Sequence, residues 1–296
     1  MSNDLPGGVL PACLTPLKKD LSINFSKLNH HCNNLLSQGC DGLVLMGTTG
    51  EANSFDQQER KAILESVLES GVEPGKILVG TGCCSLPETK ALTEHALRNE
   101  VKNVLIMPPF YYGNISDDGL YNYFEQLVSS IDHADLRIYL YHFPKMSGVP
   151  FSIEMVEKLI ESFGKTIAGI KDSSGDWENM STLSSRFTEL GVFTGNEVFL
   201  TDLMNKGGKG TISATVNVSA KLASEVYRNI SDQNGEGLQE ELTRIRRSFE
   251  RYPMIPILKL VMSQIDNDDD WLNIRPPLSP LRFWNEDEVN EILESI

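Results

Sequence analysis

Short apolar runs alternate with longer stretches of helical period along most of the chain. The runs cover residues 8–14, 42–46, 77–80, 103–107, 137–141, 167–171, 192–195 and 210–213. Each has the length of a strand, and several are rich in β-branched residues. Between them the apolar positions repeat every three or four residues. Phe25, Leu28, Cys32, Leu35 and Leu36 fall on one helical face over 25–37, and Ile63, Leu64, Val67 and Leu68 do so over 56–68. Polar residues mark the helix starts. Ser54 stands three residues before Gln57, the spacing of a capping box. Ser85 precedes Pro87 and Glu88, Ser116 precedes Asp117 and Asp118, and Ser152 precedes Glu154. Acidic residues in a first helical turn suit the positive end of the helix dipole.

Eight strand–helix units in about 230 residues predict a (β/α)8 TIM barrel. The rival, an open doubly wound sheet, calls for a G-x-G-x-x-G turn after the first strand. Here that strand runs into Thr15 and Pro16 instead. Beyond Asn234 the pattern is helical only, over 238–249, 256–265 and 286–293, broken by the acidic stretch 266–270 and by Pro276 and Pro277. The expected organisation is a catalytic barrel over residues 1–233 and a C-terminal helical extension over 234–296. The acidic stretch lacks the glycine and the ligand spacing of an EF-hand and reads as a solvated turn.

Composition narrows the function. The 296 residues are 40% hydrophobic and 23% charged, with a net charge of −15. This is a globular composition. The acidic balance, without a Lys/Arg cluster, argues against a nucleic-acid partner. The longest apolar runs fall far short of the roughly 20 residues that span a bilayer, so no membrane partner is expected. Residues 1–6 show neither a basic nor an apolar leader region, which predicts no secretory signal and a cytoplasmic protein. The five cysteines, Cys13, Cys32, Cys40, Cys83 and Cys84, form neither zinc pairs nor a disulfide framework. They read as small buried hydrophobes in a reducing compartment. The five histidines offer no ligand set, and no metal or organic cofactor is expected.

In a barrel the chemistry sits at the C-terminal ends of the strands. The second strand ends in Gly47-Thr48-Thr49-Gly50-Glu51, where exposed amides and two hydroxyls could nest a carboxylate. The sixth ends in Lys171, after an apolar run. Two readings stand for a lysine closing a buried strand. It is ion-paired, with Asp172 as the nearest candidate although it points to the opposite face, or it is a desolvated Schiff-base nucleophile. The fifth strand ends in Tyr141-His142-Phe143-Pro144, where Tyr141 is either a proton relay or a rim aromatic. Pro108-Pro109-Phe110-Tyr111-Tyr112 reads as a rigid lid or a subunit contact.

Taken together, Gly-Thr-Thr-Gly-Glu at 47–51, Tyr-Tyr at 111–112, Tyr-x-x-Pro at 141–144 and Gly-Ile-Lys-Asp-Ser-Ser at 169–174 fall in one order and spacing. The chain resembles the dihydrodipicolinate synthase / N-acetylneuraminate lyase superfamily of class I, pyruvate-dependent aldolases, from about Gly8 to Leu278. The resemblance implies that Lys171 forms an imine with the keto carbon of pyruvate or a 2-oxo acid. It implies that Tyr141 moves the proton, helped by Thr48, and that Tyr112 completes the relay from a neighbouring subunit of a homotetramer, a dimer of dimers. It implies that Thr49 and the amides of the Gly47 turn hold the carboxylate, and that Ile212 and Ser213 line the pyruvate pocket.

The departures bear on the substrate. Dihydrodipicolinate synthases carry an arginine two residues after the Tyr-x-x-Pro proline. That position here is Met146, which has no bidentate fork for a second carboxylate, and Lys145 beside it is a point charge on another vector. Sialic acid lyases carry Gly-x-Asp-Glu after strand seven. Here the run is Gly195-Asn196-Glu197-Val198. Asn196, Glu197 and Ser173 are expected to hold hydroxyl groups. That profile resembles the 2-keto-3-deoxy sugar acid aldolases, which reversibly cleave such acids (2-keto-3-deoxygluconate among them) to pyruvate and a hydroxyaldehyde. With Lys145 as the one evident cation at the mouth, the non-phosphorylated acid is expected. Two alternatives remain: a synthase or dehydratase/deaminase using the same imine, and a non-catalytic binding member. The presence of Lys171, Tyr141, Thr48 and Tyr112 together argues against the last.

Overall fold

In a computed structural model of the chain, which describes residues 7–232, 235–281 and 284–296, the eight apolar runs are eight parallel strands. They are β1 (Gly8–Pro11), β2 (Leu43–Leu45), β3 (Ile77–Gly80), β4 (Asn103–Ile106), β5 (Arg137–His142), β6 (Ile167–Asp172), β7 (Gly191–Thr194) and β8 (Gly210–Ser213). The hydrogen-bonded order runs β1-β8-β7-β6-β5-β4-β3-β2. A bridge between Ala12 and Val44 joins β1 to β2, and Cys13 N–H donates to the Val44 carbonyl at 2.9 Å. The (β/α)8 barrel is thereby nearly closed, as the strand count predicts.

Alternation along each strand sorts the side chains into two cores. Leu10, Val44, Leu78, Leu105, Tyr139, Phe193 and Ile212, one from each of seven strands, fill the barrel interior. Val9, Leu43, Ile138, Ile170 and Val192 point outward to the helices. The eighth strand, β6, puts Gly169 in the interior layer. A Cβ there would lie 2.4 Å from the Tyr139 ring, so a glycine is what lets that ring occupy the barrel axis.

The first helices on the outside are α1 (Phe25–Ser37), α2 (Gln57–Glu69), α3 (Leu86–Arg98) and α4 (Asp117–Ile131). The short α5 (Pro144–Ser147) is followed by α6 (Ile153–Phe163), α7 (Trp177–Arg186), α8 (Leu200–Asn205) and α9 (Val216–Arg228). Helix α1 has the predicted bounds and buries Leu28, Cys32 and Leu35 on one stripe. Ser116 and Ser152 cap α4 and α6, accepting from the N–H groups of Gly119 and Met155. The cap expected at Ser54 is displaced. Ser54 closes a 3₁₀ turn, Phe55 is extended, and the capping box is made by Asp56 and Glu59. The Asp-x-x-Glu pair lies two residues further on and does the same work.

The chain continues through α10 (Gly235–Phe249), α11 (Met254–Ile265) and α12 (Glu286–Ser295). The expected boundary at 233/234 lies outside the described residues, as does the N-terminal stretch 1–6. Ile245, Phe249, Ile257, Leu258, Val261 and Trp271 pack in a second core with Leu14, just past β1, so this region sits over the C-terminal end of the barrel. Polar ties fix it there. Arg275 makes a two-pronged contact with Glu59, Nη1 to Oε2 at 2.7 Å and Nη2 to Oε1 at 2.5 Å. Lys259 pairs with Glu51 where both side chains are fully buried, and its Nζ also donates to the Asn273 carbonyl at 2.9 Å. Burial pushes the Lys259 pKa down, and the Glu51 carboxylate opposes that shift. Buried pairs of this kind are costly to break from one side, by about 3–5 kcal/mol, because a buried charge is left uncompensated. Among the described residues no helix is long and apolar enough to cross a membrane.

Candidate active site

The register between β5 and β6 places the two central groups. It shifts between Ile138 and Tyr139: Ile138 stands opposite Ile167 and Tyr139 opposite Gly169. Beyond that irregularity Tyr141 faces Lys171 across the pair, and both point inward. Lys171 is 4% exposed, and its Nζ lies 3.2 Å from the Tyr141 hydroxyl and 4.3 Å from the ring centroid. The Thr48 hydroxyl lies 3.4 Å from the Tyr141 oxygen on its other side. Lysine, phenol and threonine therefore form one chain of polar atoms at the top of the barrel core.

The neighbouring Asp172 is not the partner of this lysine. By alternation it faces the helix layer. Its carboxylate accepts from the N–H and hydroxyl of Ser174, at 2.8 and 2.6 Å, and from Asn179 Nδ2 at 2.6 Å. The Lys171 ammonium has no carboxylate within ion-pair distance among the described residues. The ion-pair reading is thus excluded. His142, on the same outward face, accepts at Nδ1 from the Phe151 N–H at 3.0 Å. Burial lowers its pKa, so it packs as neutral imidazole behind the site.

The turn after β2 is held tightly from below. Met46 and Glu51, at its two ends, have positive φ angles of 55° and 57°. The β3 residue beneath is Gly80, where a Cβ would lie 2.0 Å from the Met46 carbonyl oxygen. The turn closes on itself through Glu51 N–H to the Thr48 carbonyl at 3.0 Å and Ala52 N–H to the Gly47 carbonyl at 3.3 Å. The amides of Thr48 and Thr49 have no acceptor among the described residues. Backbone donors held in this way form a nest for an anion such as a carboxylate.

A cavity of about 780 Å³ opens above these groups. Thr48, Thr49, Tyr141, Met146, Lys171, Ser173, Gly195, Asn196 and Ile212, nine of the site residues expected from the sequence, line it. Gly195 is required where it stands, since a Cβ there would meet the Ser173 hydroxyl at 2.0 Å. Four expected residues lie elsewhere. Gly47 borders a small adjoining space beneath Thr48. Ser213 is buried on the far side of β8, because alternation cannot turn both it and Ile212 inward. Glu197 is fully buried behind the cavity wall and accepts from the hydroxyls of Ser213, at 2.6 Å, and Thr215. It props the wall and does not face the space where hydroxyl groups of a substrate would bind. Tyr112 is 71% exposed, packs edge-on to Tyr111 with ring centres 5.4 Å apart, and forms neither a hydrogen bond nor a ring pair with Tyr141 among the described residues.

Sequence reasoning missed the main cation at the mouth. Arg246 comes from the last turn of α10 and lines the cavity beside Asn196 and Glu250. Its Nε donates to Glu250 Oε1 at 3.0 Å, and its Nη1 to Ser213 Oγ at 3.2 Å and Thr215 Oγ1 at 3.4 Å. Nη1 also stands 3.5 Å from Glu197 Oε2. Lys145 and Met146 lie across the opening on α5, with Met146 59% exposed. Lys145 is therefore not the one cation lining the mouth, as the sequence alone suggests, although Arg246 already stands against two carboxylates.

Known proteins resemble this chain in sequence and fold. The model of the dihydrodipicolinate synthetase family matches residues 5–296. A DapA-like lyase of Chloroflexus aurantiacus, itself uncharacterised, is 33% identical over 93% of this chain and 92% of its own. The crystal structure of dihydrodipicolinate synthase from Agrobacterium tumefaciens superposes with a TM-score of 0.85 at 30% identity, covering 97% of each chain. The chloride-inhibited dihydrodipicolinate synthase of Acinetobacter baumannii, solved with pyruvate, superposes with a TM-score of 0.88 at 25% identity over 98% of each chain. With a match over almost the whole length, the chain belongs to the dihydrodipicolinate synthetase family and is a pyruvate-dependent, Schiff-base-forming carbon–carbon lyase.

Proposed function

We propose that this protein is an aldolase that reversibly cleaves a 2-keto-3-deoxy sugar acid to pyruvate and a hydroxyaldehyde. One observation carries the reading. The cavity joins a buried amine and its phenol partner to a mouth lined by hydroxyl-binding groups, with a methionine where synthases place a carboxylate-binding arginine. In the cleavage direction the Lys171 amine adds to the C2 carbonyl and water leaves, giving a protonated imine. Tyr141 takes the proton of the C4 hydroxyl, with Thr48 as the next member of the relay. The C3–C4 bond breaks, its electrons enter the imine, and the aldehyde departs. Protonation at C3 and hydrolysis release pyruvate and restore the lysine. The Thr48–Thr49 turn holds the C1 carboxylate throughout.

The test is a comparison of kcat/KM for condensation of pyruvate with D-glyceraldehyde and with aspartate semialdehyde. The hydroxyaldehyde is expected to win, and Met146→Arg is expected to move preference toward the semialdehyde. A tenfold or larger preference for the semialdehyde in the wild type overturns the reading. A synthase activity, the one named for the related structures, then takes its place.

A homotetramer, a dimer of dimers, is proposed with it. Within one chain the polar relay ends at Thr48, while Tyr111 and Tyr112 stand 79% and 71% exposed on a proline-stiffened loop. A second copy related by two-fold symmetry would insert Tyr112 beside Tyr141 and cover this apolar surface. Mixing and reassembling the Lys171→Ala and Tyr112→Phe proteins tests this. Activity above the sum of the two is expected, since one class of mixed site then has both groups intact. An active monomer in sedimentation refutes it.

A further inference from the structure

We infer that Arg246 and Glu250, from the helical region beyond the barrel, form the substrate-tail recognition element, and that they select an uncharged, hydroxyl-bearing tail over a phosphorylated one. The inference rests on the aldolase reading above and names the residues that set its specificity.

Three features of the geometry lead to it. First, Arg246 is held in one orientation from behind. Its Nε is committed to Glu250 and its Nη1 to Ser213 and Thr215, which themselves donate to the buried Glu197. Its Nη2 has no acceptor among the described residues, and the side chain lines the same cavity as Lys171. An arginine anchored on two of its three nitrogens is a preorganised donor rather than a mobile surface charge. Second, the cation at this point is already outnumbered by carboxylates. Glu197 stands 3.5 Å from Nη1 and Glu250 3.0 Å from Nε, so one guanidinium faces two carboxylates. A third anion brought to Nη2 would share this one guanidinium with both of them. Third, acceptors lie beside the donor. Glu250 Oε1 takes Arg246 Nε and Asn196 Nδ2, both at 3.0 Å, while its Oε2 has no donor among the described residues. A hydroxyl group needs one acceptor and one donor. The Arg246 Nη2 and Glu250 pair supplies both, with Ser173 across the cavity able to act as either.

The experiment measures condensation of pyruvate with D-glyceraldehyde and with D-glyceraldehyde 3-phosphate, in the wild type, Arg246→Met, Arg246→Lys and Glu250→Gln. Borohydride trapping of pyruvate in each protein reports separately on imine formation. The wild type is expected to prefer the unphosphorylated aldehyde. Arg246→Met is expected to lower its kcat/KM by about 10- to 150-fold, the usual worth of a charge-assisted hydrogen bond, and to lower condensation far more than trapping. Lysine lacks the fork and is expected to restore only part of the loss. Glu250→Gln removes one of the two carboxylates and is expected to raise the phosphate-to-hydroxyl preference ratio by about tenfold or less. Equal losses in trapping and condensation for Arg246→Met make the arginine merely structural and overturn the inference. A wild type that favours the phosphorylated aldehyde, or a Glu250→Gln protein with an unchanged ratio, overturns the charge selection. A wild type that traps pyruvate but accepts neither aldehyde overturns the aldolase reading itself, and the specificity assignment falls with it.

Discussion

Lys171→Ala is expected to abolish borohydride trapping of pyruvate while leaving the fold intact. Among the residues lining the cavity only lysine side chains and the Arg246 guanidinium carry nitrogen cations, and a guanidinium, whose nitrogens share one delocalised charge, is a poor imine former. Lys145 is the other lysine, and it stands on α5 at the open edge of the mouth. Lys171 is buried, has no carboxylate partner among the described residues, and stands against the Tyr141 hydroxyl. The alanine variant loses both the nucleophile and the contact with Tyr141, so turnover falls to background together with trapping. Circular dichroism and thermal unfolding check that the barrel persists. That outcome is expected because Lys171 makes no polar tie to any helix among the described residues, whereas Glu51–Lys259 and Glu59–Arg275 do the structural fastening. A reduced pyruvate adduct in the alanine variant, located by mass spectrometry on Lys145 or elsewhere, would remove Lys171 from the mechanism.

The strands and the site floor were legible in the sequence for the same reason. A parallel barrel buries its strands on both faces, so each reads as a short apolar run, and a charged or phenolic residue at the end of such a run stands out. Lys171 after Ile170 and Tyr141 after Leu140 were visible in that way, and strand alternation assigns their direction once the register is known. What alternation gives it also takes away. Ile212 and Ser213 are consecutive, and only one of them can face the cavity. Glu197 was misplaced because a 3₁₀ turn (Glu197–Phe199) follows Asn196 and carries the carboxylate behind β8. Arg246 was hidden for a different reason. It sits between Arg244 and Arg247 in a helix with basic residues on several faces, and its neighbours Ile245 and Phe249 mark only the face packed against the second core. Which of three arginines reaches the mouth depends on how α10 docks over the barrel, and no local pattern encodes that. Tyr112 lies outside what one chain can display, since its proposed site belongs to another copy.

Tyr141→Phe is expected to lower turnover by about 10²- to 10⁴-fold, the usual contribution of a positioned acid–base group. The substitution removes one oxygen, the atom that lies 3.2 Å from Lys171 Nζ and 3.4 Å from Thr48 Oγ1. The ring itself is kept. It packs in the interior cluster with Tyr139 and Phe193 and stacks on Phe143 at 5.8 Å, so phenylalanine fills the same space and little stability is lost. Lys171 also keeps the ring face at 4.3 Å, which preserves its placement. Imine formation is therefore expected to survive at a reduced rate, with trapping of pyruvate slowed but complete at long times. The carbon–carbon step is where the loss concentrates, because the hydroxyl proton of the substrate then has no base in reach except through Thr48. The contrast with Lys171→Ala is the informative part: one variant loses the adduct, the other retains it and fails afterwards. Single-turnover kinetics with trapping as the first readout and aldehyde release as the second separate the two steps. If the phenylalanine variant turns over within about a factor of two of the wild type, the phenol is only a wall of the pocket. The proton must then travel through Thr48 and the bound carboxylate alone.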